Sequence, residues 1–338
     1  MINYLKKVSR HETLTEDEAY SVMEMIYAGN VCDNQLSAFL AILQTRGEAE
    51  AEIMGFAMYL KSAIATAPTS NDIILDTCGT GGDYANTFNI STASALVVSS
   101  AGIKVAKHGG RSVSSLSGSM DVLEALGIKP HSNIQAATHA LHHVAFTFLS
   151  SADFYTGLNR IKRLRKQLGI RTCFNILGPV LNPMNVKHQV LGVYDEKLLL
   201  PIARILRKLG SHEAMVVYAK DGLDEISITA PTQVAHLKDN KIIQYTIDPR
   251  IYGMSSGSNA SIRGGNAITN ASIIKKIFSA DNSHYRDSVI INAAAGFVVT
   301  NRVDTLKSGI ALAKELIDSG QCSHQLQHII DYHHEVSL

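Results

Sequence analysis

Residues 73–92 read IILDTCGTGGDYANTFNIST, and the order of residue types in this stretch decides the fold. A short apolar run at residues 73–75 has strand character. It leads into DTCGTGGD at residues 76–83, where Gly79, Gly81 and Gly82 carry no side chains. Backbone N–H groups can therefore converge there on an anion. A helix is expected from about Ser91, with Ser91 and Thr92 suited to its cap, and its N-terminus adds a dipole and free donors. Phosphate or pyrophosphate is the natural guest of such a turn, and a tight strand-to-helix connection without a ligand is the plainer reading. No G-K-[ST] closes the loop, and Tyr84 stands where G-x-G-x-x-G needs its last glycine. Both departures argue against ATP and NAD.

Working outward, short apolar runs alternate with helical stretches. Strands are expected at residues 103–106, 144–149, 190–194 and 214–219, with helices from about Ser91 and Ser119 and further helices between. C-terminal helices are expected near 268–278, 286–300 and 305–319. Strand–helix alternation implies crossover connections and a mainly parallel sheet. The final His-rich stretch, from Ser323 to Leu338, reads as a frayed, solvated tail with poor metal spacing.

The first 65 residues are different, carrying helical signals only. Thr15 followed by Glu18 is a capping box, and Ala19, Val22, Met23 and Ile26 form one stripe that Gly29 stops. Leu36, Phe39, Leu40 and Leu43 form a second, ending at Gly47. Ile53, Phe56, Ala57, Leu60 and Ile64 form a third. The polar, Pro-containing stretch ATAPTSN (65–71) is a boundary between a helical domain, 1–65, and an α/β catalytic domain, 72–338.

Three further motifs carry chemistry. KHGGRSVSS (107–115), followed by SGS (117–119), again comes at a strand end, about 30 residues after the first loop. Lys107 and Arg111 bring charge, and the serines bring donors suited to a polyphosphate. Two such loops at strand C-terminal ends mark the ligand edge of an open parallel sheet. DGLDEIS (221–227) follows the strand AMVVYA and sets Asp224 beside Glu225. Adjacent carboxylates on a loop can hold Mg2+ whose shell is completed by substrate phosphates, or can form a solvated acidic turn. NRIKRLRKQLGIR (159–171) is a helix with Leu158, Ile161, Leu164 and Leu168 on its apolar side. Its cations form a solvated face, a carboxylate-binding arginine or a nucleic-acid patch, and the lack of interleaved aromatics weakens the last.

Composition sets the outer bounds. The 338 residues are 46% hydrophobic, enough for a large core, which excludes a disordered or collagen-like chain. Lys plus Arg is 31 against 30 for Asp plus Glu, so no global field gathers nucleic acid or anionic membrane. Cys32, Cys78, Cys173 and Cys322 fit neither a zinc site nor a disulfide framework, which points to free thiols in the cytoplasm. The opening MINYLKKVSR is not the start of a signal peptide, and no apolar run is long enough to span a membrane.

Together these motifs resemble the anthranilate phosphoribosyltransferases, the tryptophan-pathway members of the class IV phosphoribosyltransferases. The shared stretches span nearly the whole chain: the helical start, GTGGD, NISTA, KHG-RSVSS, SGSMDVLEALG, RKQLGIRT, FNILGPVLNP and DGLDEIS. The resemblance implies a small all-helical domain, joined by helices near 155–185, beside a large α/β domain of the nucleoside phosphorylase/phosphoribosyltransferase type. It implies a homodimer formed through the helical domains. Phosphoribosyl pyrophosphate and anthranilate would be substrates, Mg2+ the cofactor, and N-(5-phosphoribosyl)anthranilate and pyrophosphate the products.

Position by position, the resemblance implies that Gly79, Gly82, Asp83, Thr87, Asn89, Ile90, Ser91 and Thr92 line the donor site. Lys107, His108, Gly109, Gly110, Arg111, Ser112, Val113, Ser114 and Ser115, with Ser119, would close over the phosphates. Ser91, Asp224 and Glu225 would hold Mg2+, with Lys107, Asp224 and Glu225 as the catalytic group. Gly79, Gly110, Tyr155 and Arg165 would meet anthranilate, with Arg165 facing its carboxylate. Two departures fall on the acceptor side. The family's KHGNR asparagine is Gly110 here, and its A-P-x-x-H histidine is Tyr155, in SADFY. They motivate a same-fold transferase with another aromatic amine as acceptor. A pyrimidine nucleoside phosphorylase shares the architecture but has a different phosphate-site pattern and no need of the D-E pair. A non-catalytic nucleic-acid-binding paralogue is opposed by the neutral charge and the complete donor motifs.

Overall fold

A computed structural model describes residues 1–68, 72–83, 85–111, 116–254 and 257–335. Four helices open the chain: α1 (Ile2–Val8), α2 (Glu16–Tyr27), α3 (Asp33–Arg46) and α4 (Glu50–Ser62). Thr15 caps α2 through the expected box, since its side chain accepts from the Glu18 N–H while Glu18 accepts from the Thr15 N–H at 2.8 Å. Gly47 ends α3 with φ of 87°, a backbone only glycine adopts without strain. The expected apolar stripes are buried, except that Ile64 lies beyond the end of α4, in the connection.

The rest alternates strand and helix. It begins β1 (Ile74–Gly79), α5 (Ile90–Ser100), β2 (Lys104–Gly109), α6 (Ser119–Leu126), α7 (Ile134–Val144) and β3 (Phe146–Ser150). It continues with α8 (Ser151–Phe154), α9 (Asn159–Leu168), α10 (Cys173–Val180), β4 (His188–Gly192), α11 (Leu199–Lys208) and β5 (Glu213–Ala219). A hairpin of β6 (Thr232–Lys238) and β7 (Lys241–Ile247) follows, then α12 (Ala267–Phe278), α13 (His284–Val299), α14 (Leu306–Asp318) and α15 (Gln321–Glu335). The sheet order is β3-β2-β1-β4-β5-β6-β7, parallel from β3 to β5 and antiparallel from β5 to β7. The chain moves outward from β1 on one side, then returns to its other side at β4. That reversal makes the C-terminal end of β1 a switch point, where open sheets bind ligands.

Both faces of the sheet are covered, as a parallel sheet requires. Side chains alternate along each strand, so Met215 and Val217 join α5, α13 and α14 while Ala214 and Val216 face the other way. The second face belongs to one apolar cluster with α10, α11, part of α9 and the opening helices. Helices α9 and α10 therefore tie the N-terminal helices to the sheet. Arg160 on α9 adds a clamp, donating to the carbonyls of Gly29 and Val31 and pairing with Asp33 at 2.8 Å.

The structure corrects several expectations. Strand bounds shift: β1 continues through Cys78 to Gly79, so the turn begins at Thr80, and Val144 ends α7 rather than starting β3, while β4, at 188–192, starts and ends two residues before the expected 190–194. The helix after the turn starts at Ile90 with Asn89 at its cap, so Ser91 and Thr92 lie inside the first turn. Up to Glu335 the expected frayed tail is instead helix α15, and residues 336–338 of that expectation lie outside the described residues. Cys322, Leu326, Ile329 and Tyr332 recur at helical spacing and bury that face against α5, α7 and α14. The thiols are free, with Cys32 exposed and the other three buried. Among the described residues, no helix is long and apolar enough to cross a membrane.

Candidate active site

The ends of β1 and β2 and the loop after β5 line a cavity of about 380 Å3. The fold brings together there Gly79, Gly82, Asp83, Thr87, Asn89, Ile90, Ser91, Lys107, His108, Gly109, Gly110, Arg111 and Ser119, with Asp224 and Glu225. Thr92 does not reach it; that residue is fully buried behind the first turn of α5. The expectations for Ser112, Val113, Ser114 and Ser115 lie outside the described residues.

Two glycines seat the acidic pair. A Cβ at Gly79 would stand 2.4 Å from the Asp224 carboxylate, and one at Gly192 would stand 1.5 Å from the Asp224 carbonyl oxygen. The loop after β5 thus folds down over the ends of β1 and β4. The Gly81 N–H donates to Asp224 Oδ2 at 2.6 Å, and the Ser91 N–H donates to Glu225 Oε1 at 3.2 Å. Burial and the nearness of Asp83 push the Asp224 carboxyl well above its usual range. Burial and Asp224 do the same to Glu225, and Asp83 is raised by burial. Carboxylates crowded in this way favour either protons or a cation. The set fits a hard divalent ion, with substrate and water oxygens filling the remaining positions.

Lys107 lies within β2 rather than on a flexible loop. Its buried ammonium donates to the Thr77 carbonyl and, at 3.2 Å, to Ser91 Oγ. It brings a fixed positive charge to the cavity wall. Arg111 is committed differently, pairing with Asp121 at 2.7 Å and Glu124 at 2.8 Å on α6.

A second cavity of about 280 Å3 adjoins the first and shares His108, Gly110, Arg111, Ser151, Arg165, Phe174 and Gly178 with it. Leu60, Met120, Tyr155, Leu158, Ile161 and Leu177 make it more apolar. Gly110, Tyr155 and Arg165 line this cavity together, but Gly79 lines only the first. His108 and Tyr155 stack at a tilt, 5.7 Å between centroids. Burial pushes His108 down to about 4, so it is a neutral imidazole, and pushes the Tyr155 phenol up. Arg165 lies 5.6 Å from the Phe174 ring centroid, and its Nη2 donates to Asn175 Oδ1 at 3.0 Å. Its Nε is buried without a hydrogen-bond partner, and burial depresses its pKa. Among the described residues, no carboxylate pairs with this guanidinium. A planar acid in the second cavity is the complement it lacks.

Thr80, Asn175 and Arg171 are missing from the sequence-derived set. Thr80 Oγ1 accepts from the Tyr194 N–H at 3.0 Å. Arg171 donates to the Gly82 carbonyl at 2.8 Å and stacks 4.4 Å over Tyr194. The two hydrogen bonds join residues 114 and 89 positions apart, so no local pattern announces them. The NILGP context gives Asn175 a helix-start signal, but not its partners.

The chain matches the α/β domain of the glycosyl transferase family over residues 71–323 and that family's helical bundle domain over residues 2–63. It is 43% identical over 335 residues to an anthranilate phosphoribosyltransferase of Petrotoga mobilis, covering 99% of this chain and 97% of that one. The crystal structure of the Thermus thermophilus anthranilate phosphoribosyltransferase is similar with a TM-score of 0.90 at 33% identity, over 98% of this chain and 99% of that one. The Saccharomyces cerevisiae protein of that name, in complex with PRPP (phosphoribosyl pyrophosphate) and Mg, gives 0.89 at 29% identity over 99% and 98%.

Proposed function

The chain belongs to the anthranilate phosphoribosyltransferase family, and we propose how its own residues carry that activity. It transfers the phosphoribosyl group of phosphoribosyl pyrophosphate to anthranilate, releasing pyrophosphate. The donor belongs in the larger cavity, against residues 79–91 and 107–111, with Ser119. Anthranilate belongs in the apolar one, with its carboxylate on Arg165 and its ring beside Tyr155 and Gly110. One observation carries this reading: an acidic, phosphate-type cavity opens directly into an apolar one, and the arginine they share has no acidic partner among the described residues.

Asp224 and Glu225, with Ser91, would hold Mg2+. Bound there, the ion would neutralise the charge that builds on departing pyrophosphate. Lys107 adds a second fixed charge and holds Ser91 in place. The anthranilate amine attacks C1 of the ribose as the C1–O bond to pyrophosphate breaks, and the amine proton leaves to solvent or to a phosphate oxygen. The developing oxocarbenium ion needs a close nucleophile and a stabilised leaving group rather than a covalent enzyme intermediate. The neutral His108 cannot repel the cationic ribose centre. Closure of the helical unit, 1–65, on the α/β unit, 72–338, would exclude water that could hydrolyse the donor.

We read the chain as a cytoplasmic homodimer paired through its helical domains, a reading supported by exposed Ile2 and Met58 there; light scattering in solution checks it. The deciding assay measures product from phosphoribosyl pyrophosphate with anthranilate and a panel of aromatic amines. Selective anthranilate turnover is expected. Turnover of another amine while anthranilate is inert would replace the acceptor and leave the donor half standing.

A further inference from the structure

Asn175, at the start of α10, lines the larger cavity, and among the described residues its side chain makes three hydrogen bonds. Its Oδ1 accepts from Arg165 Nη2 at 3.0 Å and from the Thr172 N–H at 3.1 Å. Its Nδ2 donates to the Thr80 carbonyl at 3.4 Å. Two donors on one side and a carbonyl on the other fix the amide's orientation, because a flip would set donor against donor. Thr80 is held on every other side by the sheet: its N–H reaches the Gly192 carbonyl at 2.9 Å, and its Oγ1 accepts from Tyr194. Its neighbour Gly81 donates to Asp224.

We infer that Asn175 is a positioning residue with two outputs: it aims Arg165 for the acceptor carboxylate and pins the Thr80–Gly81 turn that supports Asp224. The inference rests on the acceptor assignment above. Among the described residues Arg165 has no carboxylate to orient it, and besides Asn175 its head group meets the Phe174 ring. Asn175 thus links Arg165, which lines both cavities, to the Thr80 carbonyl of the larger one. Only a primary amide serves both ends. A carboxylate at position 175 would pair with Arg165 and repel the Thr80 carbonyl, and an alkyl group would do neither.

A double-mutant cycle with Arg165 tests this. Asn175→Ala is expected to raise the anthranilate KM roughly tenfold in the wild-type background. In an Arg165→Ala background the same change should raise it less than about twofold, because an absent arginine cannot be misaimed. The donor KM should rise about threefold in both backgrounds, through Thr80. A general structural defect would instead act equally on both substrates in both backgrounds, and equal acceptor effects overturn the inference. Asn175→Asp is the second variant, keeping size and the α10 start. It should raise the anthranilate KM further than Asn175→Ala, by giving Arg165 an internal acid; a smaller rise overturns the aiming role. Wild-type enzyme that turns over the donor with another amine but not anthranilate would refute the acceptor assignment and this inference with it. Anthranilate turnover with an additive cycle would refute the inference alone.

Discussion

Gly192 has no room for a side chain because the Asp224 carbonyl occupies the space, 1.5 Å from where a Cβ would stand. Gly192 closes β4 and is absent from any motif, yet it sets the height of the acidic pair above the sheet. A methyl group there must push the Asp224 backbone or the strand end away.

Gly192→Ala is therefore expected to lower kcat at least about tenfold and to raise the Mg2+ concentration needed for half-maximal activity. The overpacking cost of about 1–3 kcal/mol leaves most of the protein folded. Magnesium activation curves and thermal melts on the same samples check it. An unchanged activation curve would mean the acidic pair does not depend on this contact.

The crowding of Asp83, Asp224 and Glu225 has a pH consequence. Their pKa values are raised in the fold, with Asp224 up to about 7 and Glu225 up to about 8. Between the unfolded carboxylate range, about 4, and those values, the folded state retains protons that the unfolded chain has released. This cluster's contribution to stability therefore falls as pH rises through that window and levels off above it. Magnesium bound at this cluster would replace those protons, so its stabilising effect should grow as they are lost. Thermal melts with and without Mg2+ should show a larger Tm gain near pH 8 than near pH 6. The double variant Asp224→Asn, Glu225→Gln should show no such difference and should lose turnover by orders of magnitude. Equal gains at both pH values in the wild type would place the ion elsewhere.

Arg165 supplies a sharper separation of the two substrates. It is desolvated and has no acidic partner among the described residues, so a substrate carboxylate meets little competition from water. Arg165→Ala is expected to raise the anthranilate KM by a factor equivalent to about 1.5–3 kcal/mol, with the donor KM nearly unchanged. Steady-state kinetics with each substrate varied in turn measures the split. Parallel increases in both would make Arg165 a structural residue of α9 instead.

Local signals made the opening helices readable, since the Thr15 box and the stripe from Ala19 to Ile26 are complete within a few residues. The glycine-rich turn and the D-E pair stood out for the same reason, and the fold brings both to one cavity. The hairpin of β6 and β7 was not anticipated, because β7 is an exposed edge with little apolar alternation. Its Asp239–Asn240 turn, with positive φ at both residues, was the available clue. Helix α15 was obscured by its histidines, although its buried residues keep a helical period. The Asn175–Thr80 contact and the Gly192–Asp224 approach had no sequence signal, because each joins segments far apart in the chain that meet only after the sheet forms, while Arg165 and Asn175 are ten residues apart on successive helices with no local pattern pairing them.

Gly110 stands where the resemblance to the family led us to expect an acceptor-binding asparagine, and the structure shows what an asparagine there would meet. Gly110 lines both cavities and does not adopt a left-handed backbone, so a side chain brings no φ strain. Its Cβ would stand 2.9 Å from Ser151 Oγ, the end of a short side chain that can rotate aside. An amide at this position could donate and accept at the boundary between donor and acceptor. Tyr155, buried beside His108, already supplies an aromatic wall, so anthranilate should bind without the amide, though less tightly. Gly110→Asn is expected to lower the anthranilate KM several-fold, about 1 kcal/mol for one added hydrogen bond, with little change in the donor KM. If the variant instead raises the anthranilate KM while Gly110→Ala leaves it unchanged, the extra side chain is filling space that the acceptor needs. Glycine at this position would then enlarge the cavity for a bulkier aromatic amine.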